Sequence, residues 1–132
     1  MRVSSSQPTV RLRSVVLDCP DPRVLASFYA DLLSGRPDTS DREWCEVYID
    51  EPSLKLAFQL VDPYEAPEWP TGVPQQLHLD LTVSDLEAAS LRAVSLGAAV
   101  LTDQVEELGG MFIVHADPAG HPFCLFMERS LA

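Results

Sequence analysis

The stretch LHLDLTVSDLEAASLRAVSLG, residues 77–97, changes its hydrophobic period once, and that change decides the fold. Up to Val83 the apolar residues alternate. Leu77, Leu79, Leu81 and Val83 point one way and His78, Asp80 and Thr82 the other, the period of a strand with one face on a core. Ser84-Asp85-Leu86-Glu87 then reads as a capping box, in which the Ser84 hydroxyl takes the Glu87 N–H and the Glu87 carboxylate reaches back. Helical spacing follows and predicts a helix over 85–96, stopped at Gly97.

The same plan stands upstream. Arg13 to Cys19 alternates, with Val15, Leu17 and Cys19 on one face and Ser14, Val16 and Asp18 on the other. Asp21-Pro22 opens a helix, Asp21 as N-cap and Pro22 at the first position, where its missing N–H costs nothing. Val24, Leu25, Phe28, Tyr29, Leu32 and Leu33 continue it over 22–34, and Gly35 and Pro37 stop it. Laying His78 on Ser14, a shift of 64 positions, also lays Leu81 on Leu17, Asp85 on Asp21 and Leu96 on Leu32. Further strands are expected at 44–50, 54–61, 98–102, 111–116 and 122–128, and the two first strands at 12–19 and 76–83. A repeat near half the chain means that neither half buries its apolar face alone. The expected architecture is α+β: two tandem βαβββ modules, 11–61 and 76–128, forming a curved mixed sheet around a cavity with the helices outside. Residues 62–75, with four prolines, connect them.

Composition narrows the partners. The 132 residues carry 20 acidic and nine basic side chains, a formal net charge of −11. That excess repels phosphate backbones and anionic lipid, so neither a nucleic acid nor a membrane is an expected partner. No apolar run approaches the ~20 residues of a membrane span. Residues 1–10 have no apolar signal segment and read as a disordered tail. Three cysteines, Cys19, Cys45 and Cys124, with no CxxC, point to reduced thiols and a cytoplasmic protein.

Three stretches, LDCPDPRVLASFYADLL (17–33), PQQLHLDLTVSDLEAA (74–89) and ADPAGHPFCLF (116–126), carry a more specific likeness. They resemble the vicinal oxygen chelate superfamily of glyoxalases, bleomycin resistance proteins and dioxygenases, and most of all its glyoxalase-like subgroup, common in actinobacteria. The resemblance covers roughly residues 11–128 and implies the doubled βαβββ fold. It also implies a divalent ion, held by one ligand on the first and one on the last strand of each module, that stabilises an enediolate or related anion. Carried over by register, those positions are Ser14, Gln59, His78 and Cys124. Of these His78 is a strong ligand and Gln59 a tolerable one, while a hydroxyl and a soft thiolate make an odd set for a hard octahedral ion.

The expected function is therefore binding of a small molecule, aromatic or drug-like, without the family's full metal site and without another cofactor. The candidate ligand-binding residues are Ser14, Trp44, Tyr48, Gln59, His78, Asp80, Cys124 and Phe126, with Ser14, Gln59, His78 and Cys124 facing one cavity. The alternative is a lyase or isomerase with an altered metal set, in which His78 is catalytic and His78 and Gln59 hold the ion. His121 reads as a hydrogen-bonding residue of the turn Asp117-Pro118-Ala119-Gly120. A homodimer is expected by resemblance, with Tyr64, Trp69, Val100 and Leu101 near the contact.

Overall fold

The computed structural model describes residues 8–107 and 109–129. Of the expected tail, residues 1–7 lie outside the described residues, and 8–10 are exposed and without regular structure. The first module is β1 (Val15–Cys19), α1 (Pro22–Leu33), β2 (Arg36–Asp41), β3 (Trp44–Ile49) and β4 (Leu54–Leu60). The second is β5 (Leu79–Thr82), α2 (Leu86–Leu96), β6 (Ala99–Val100), β7 (Val105–Glu107), β8 (Gly110–Ala116) and β9 (Pro122–Glu128).

The duplication read from the sequence is repeated in the topology. The first sheet has strand order β1-β4-β3-β2 and the second β5-β9-β8-β6, with β7 also on β8. In both, the first strand lies parallel to the last, Leu17 beside Phe58 and Leu81 beside Leu125, and the other pairs are antiparallel. The β6 and β7 strands occupy one edge of β8 in succession, so they are a single edge strand interrupted at residues 101–104.

Three local expectations are corrected. Arg36–Asp41 is a strand where none was expected. It is an edge strand, exposed on nearly every residue, so Pro37 removes no interior ladder bond and no alternation marks it. The α1 helix ends on Ser34, which itself takes the left-handed conformation (φ 56°), while the Gly35 N–H bonds the Ala30 carbonyl. The capping box is also absent in α2. The N-cap is Asp85, extended at φ −140°, and its carboxylate accepts the Ala88 N–H at 3.1 Å. Asp21 does the same for Val24 at 3.3 Å, so both modules put a carboxylate on the positive end of their helix. Gly97 closes α2 at φ 122°, where a side chain would be strained.

One core serves both modules. Leu17, Leu25, Tyr29, Leu56 and Phe58 from the first meet Leu86, Ala93, Phe123 and Leu125 from the second, all buried. Phe123 lies 5.9 Å from Phe28 and 6.4 Å from Tyr29 between ring centroids, across the module boundary. The expected single curved sheet is instead two hydrogen-bonded sheets of four and five strands, because β1 pairs with β4 and β5 with β9, leaving each first strand at an edge. Among the described residues no helix is long and apolar enough to cross a membrane.

Candidate functional site

The face of the second sheet turned away from the core builds the main hollow of the chain, about 450 Å3 in volume. Alternation on β5 sends Asp80 and Thr82 into it, beside His78 just before the strand. Alternation on β9 sends Cys124 and Phe126, and β8 adds Val114 and Phe112, the residues paired with them in register. Trp69 and Gln75 reach in from the proline-rich connection. Apolar and aromatic walls with a few polar groups are the usual make-up of a small-molecule site.

The polar groups differ in character. The His78 and Asp80 side chains stand at the rim, 49% and 71% exposed, with Nε2 3.6 Å from Oδ1. That separation is long for a hydrogen bond and suits a loose ion pair when the imidazole is protonated. Cys124, opposite Asp80 in the ladder, has its thiol pushed up to about 11, first by burial and then by the Asp80 charge. At neutral pH it is a protonated thiol, neither an activated nucleophile nor a ready thiolate ligand.

The structure divides the sequence-derived candidates. His78, Asp80, Cys124 and Phe126 share the main hollow. Gln59 and Trp44 line a different one with Asp41 and Asp62, and Tyr48 lines a third with Arg13, Arg36 and Lys55. Ser14, just before β1, lines none of the three. The expectation that Ser14, Gln59, His78 and Cys124 face one cavity therefore fails within a single chain. The physical reason is the separation of the sheets: Gln59 on β4 and Cys124 on β9 belong to different sheets, and Ser14 and His78 stand just before β1 and β5. Trp44 and Tyr48 are engaged locally as well. Trp44 Nε1 and the Tyr48 hydroxyl both donate to Glu46, at 2.9 and 2.6 Å, and Lys55 approaches it at 3.5 Å. These contacts, the Trp44 bond foremost, hold the Glu46 carboxyl below its usual range.

Phe112, Val114, Thr82 and Gln75 were not among the candidates. The signal for Phe112 and Val114 lay in the 117–120 turn, since counting outward from a hairpin pairs 114 with 124 and 112 with 126. Nothing in the sequence aimed Gln75 at the hollow.

A second polar constellation is sealed off from it. Asp117 accepts the Tyr29 hydroxyl at 2.7 Å, His121 Nδ1 at 2.8 Å, and the N–H groups of Ala119 and His121 at 2.9 and 3.0 Å. Tyr64 donates its hydroxyl to the Ala119 carbonyl at 2.8 Å and lies 3.3 Å from His121 Nε2. The expected turn role of His121 is met, in a deeper setting than a surface turn: His121 is fully buried. His115 is buried too, stacked 5.2 Å from Phe123 with Nε2 2.8 Å from Ser90 Oγ, and burial holds its pKa below the ordinary value.

A divalent ion fits this donor arrangement poorly. Among the described residues no three His, Cys, Asp or Glu side chains come together to hold one. Gln59, the proposed partner of His78, belongs to another hollow, and the Cys124 thiol resists the deprotonation a metal ligand needs.

The family described as "Glyoxalase-like domain" matches residues 14–126. Among curated proteins none matches the chain. Solved structures share its fold. A glyoxalase/bleomycin resistance protein/dioxygenase family enzyme from Burkholderia phytofirmans superposes with a TM-score of 0.70 at 14% identity, over 88% of this chain and 97% of that one. The fosfomycin resistance protein FosX from Listeria monocytogenes gives 0.68 at 15% identity, over 94% and 97%. A glyoxylase/bleomycin resistance protein/dioxygenase domain from Frankia gives 0.67 at 17% identity, over 92% and 100%. At these identities the likeness concerns the fold alone.

Proposed function

The chain belongs to the glyoxalase-like domain family, and we propose that within it this protein binds an aromatic or drug-like small molecule without a resident metal ion. The observation that carries the reading is the aromatic-walled hollow of about 450 Å3 on the second sheet. Burying a flat apolar ligand against Trp69, Phe112 and Phe126 supplies the driving force, and Gln75, Thr82 and His78 orient it. Purified protein is expected to carry well under one equivalent of Zn, Ni, Mn or Fe. Its melting temperature should rise with aromatic ligands equally with and without added divalent ions. At a ligand concentration of 100 times Kd the stabilisation is about 2.7 kcal/mol, a shift of several degrees. Stoichiometric metal that disappears in His78→Ala would overturn this reading.

That outcome would favour a second reading, supported by the His78–Asp80 pair at the rim. There the protein is a lyase or isomerase with an altered metal set centred on His78, whose imidazole would hold the ion against a bound substrate. His78 is accessible enough to meet such a substrate.

We also propose a homodimer. The β1 and β5 strands each pair on one side only, and Val100 and Leu101 on the far edge are 50% and 38% exposed. Trp69 stands in the wall of the hollow, while Tyr64 is tied to Ala119, so of the connection residues Trp69 is the better placed to meet a second copy. A shared site would bring Ser14 and Gln59 of one copy toward His78 and Cys124 of another, a meeting one chain does not provide. Light scattering at low protein concentration is expected to give twice the chain mass of 14.5 kDa. A single-chain mass sinks the dimer and leaves the hollow to one chain.

A further inference from the structure

We propose that the hollow on the second sheet selects aromatic cations, with Asp80 as the counter-charge, over neutral and anionic compounds of the same shape. This rests on the small-molecule reading above and names the ligand class. The charge census of the wall is one-sided. Asp80 is its single carboxylate, and neither lysine nor arginine lines it. Among the described residues the cationic partner within 4 Å of Asp80 is His78 alone, loosely placed at 3.6 Å. The carboxylate thus has no permanent positive neighbour, and a ligand ammonium can take that place.

The basic residues that might have served an anion are elsewhere. Arg13, Arg36 and Lys55 gather at the far hollow of the first sheet, where Arg36 pairs with Asp50 and Lys55 with Glu46. An anion entering the main hollow would meet Asp80, a protonated Cys124 thiol and the field of a chain with net charge −11. The same field raises the local concentration of a cation. A ligand cation set over the face of Trp69, Phe112 or Phe126 gains in the same direction, from the negative end of the ring quadrupole. Gln75 and Thr82 add neutral polar atoms that do not discriminate by charge.

The size of the preference follows from exposure. The Asp80 side chain is 71% exposed, so its ion pair in water is weak, and cation–π attraction at an open site is of similar size. Together they amount to roughly five- to tenfold in affinity. The test is isothermal titration of the whole protein with naphthalene carrying one of three groups: methylammonium, hydroxymethyl or carboxylate. The expected order is ammonium tightest, alcohol about five- to tenfold weaker, carboxylate weakest. Asp80→Asn should erase the advantage of the ammonium compound over the alcohol, and Phe126→Ala should weaken both. Equal affinity of the ammonium and the alcohol, or an advantage that survives Asp80→Asn, overturns the charge selection while leaving small-molecule binding in place. Failure of all three to bind overturns the binding reading along with it.

Discussion

Asp117→Ala is expected to lower the melting temperature by about 10 °C or more. Asp117 is 4% exposed and accepts four hydrogen bonds, from the Tyr29 hydroxyl, His121 Nδ1 and the N–H groups of Ala119 and His121. Alanine leaves all four donors inside with no acceptor and no room for bulk water. Each buried donor left without its acceptor costs about 1–3 kcal/mol, so losing several at once goes well beyond the ~1 kcal/mol of an ordinary hydrogen bond. The bond to Tyr29 also joins α1 of the first module to the turn of the second, so the loss weakens the seam between modules. Burial, then the Asp117 charge, push the Tyr29 hydroxyl well above its ordinary pKa, so it stays a donor throughout the working range. Asp117→Asn retains an acceptor for the turn N–H groups and should lose less. Calorimetry decides it: a melting temperature for Asp117→Ala within about 2 °C of wild type would show that the network holds nothing together.

Phe123→Ala should cost about 3–5 kcal/mol through the cavity it leaves. Phe123 is fully buried. Its ring stacks on His115 at 5.2 Å and meets Phe28 at 5.9 Å and Tyr29 at 6.4 Å. Helix α1 cannot follow the lost ring inward, because Asp117 holds Tyr29 in place. Urea titration should show a lower midpoint with an unchanged slope, the mark of lost stability rather than an altered unfolded state. Phe123 also touches the floor of the main hollow, so ligand affinity should fall in parallel. A loss under about 1 kcal/mol would mean that neighbouring side chains collapse into the space.

Much of this was legible in the residues. Alternation at Leu77–Val83 and Phe123–Met127 correctly assigned which side chains pack on the core and which face away, and so put His78, Asp80, Cys124 and Phe126 on one surface. Asp21 caps its helix as expected, while in the second module the cap falls on Asp85, one residue past the expected Ser84. Arg36–Asp41 escaped notice because an edge strand exposed on both faces has no reason to alternate. The Asp117 network escaped because Tyr29 and Asp117 lie 88 residues apart, and no local pattern joins Tyr29 to a turn in the other module.

The sequence by itself therefore determined both helices, the half-buried strands with their core-facing sides, and the doubled plan, since each follows from periods of two or 3.6 residues that neighbouring positions reveal. Only the tertiary structure decided that Gln59, Trp44 and Tyr48 stand apart from His78 and Cys124. Alternation fixes which way a side chain points from its own sheet. It says nothing of what stands opposite, because that depends on how β1 and β5 meet other edges and how one buried core orients two sheets.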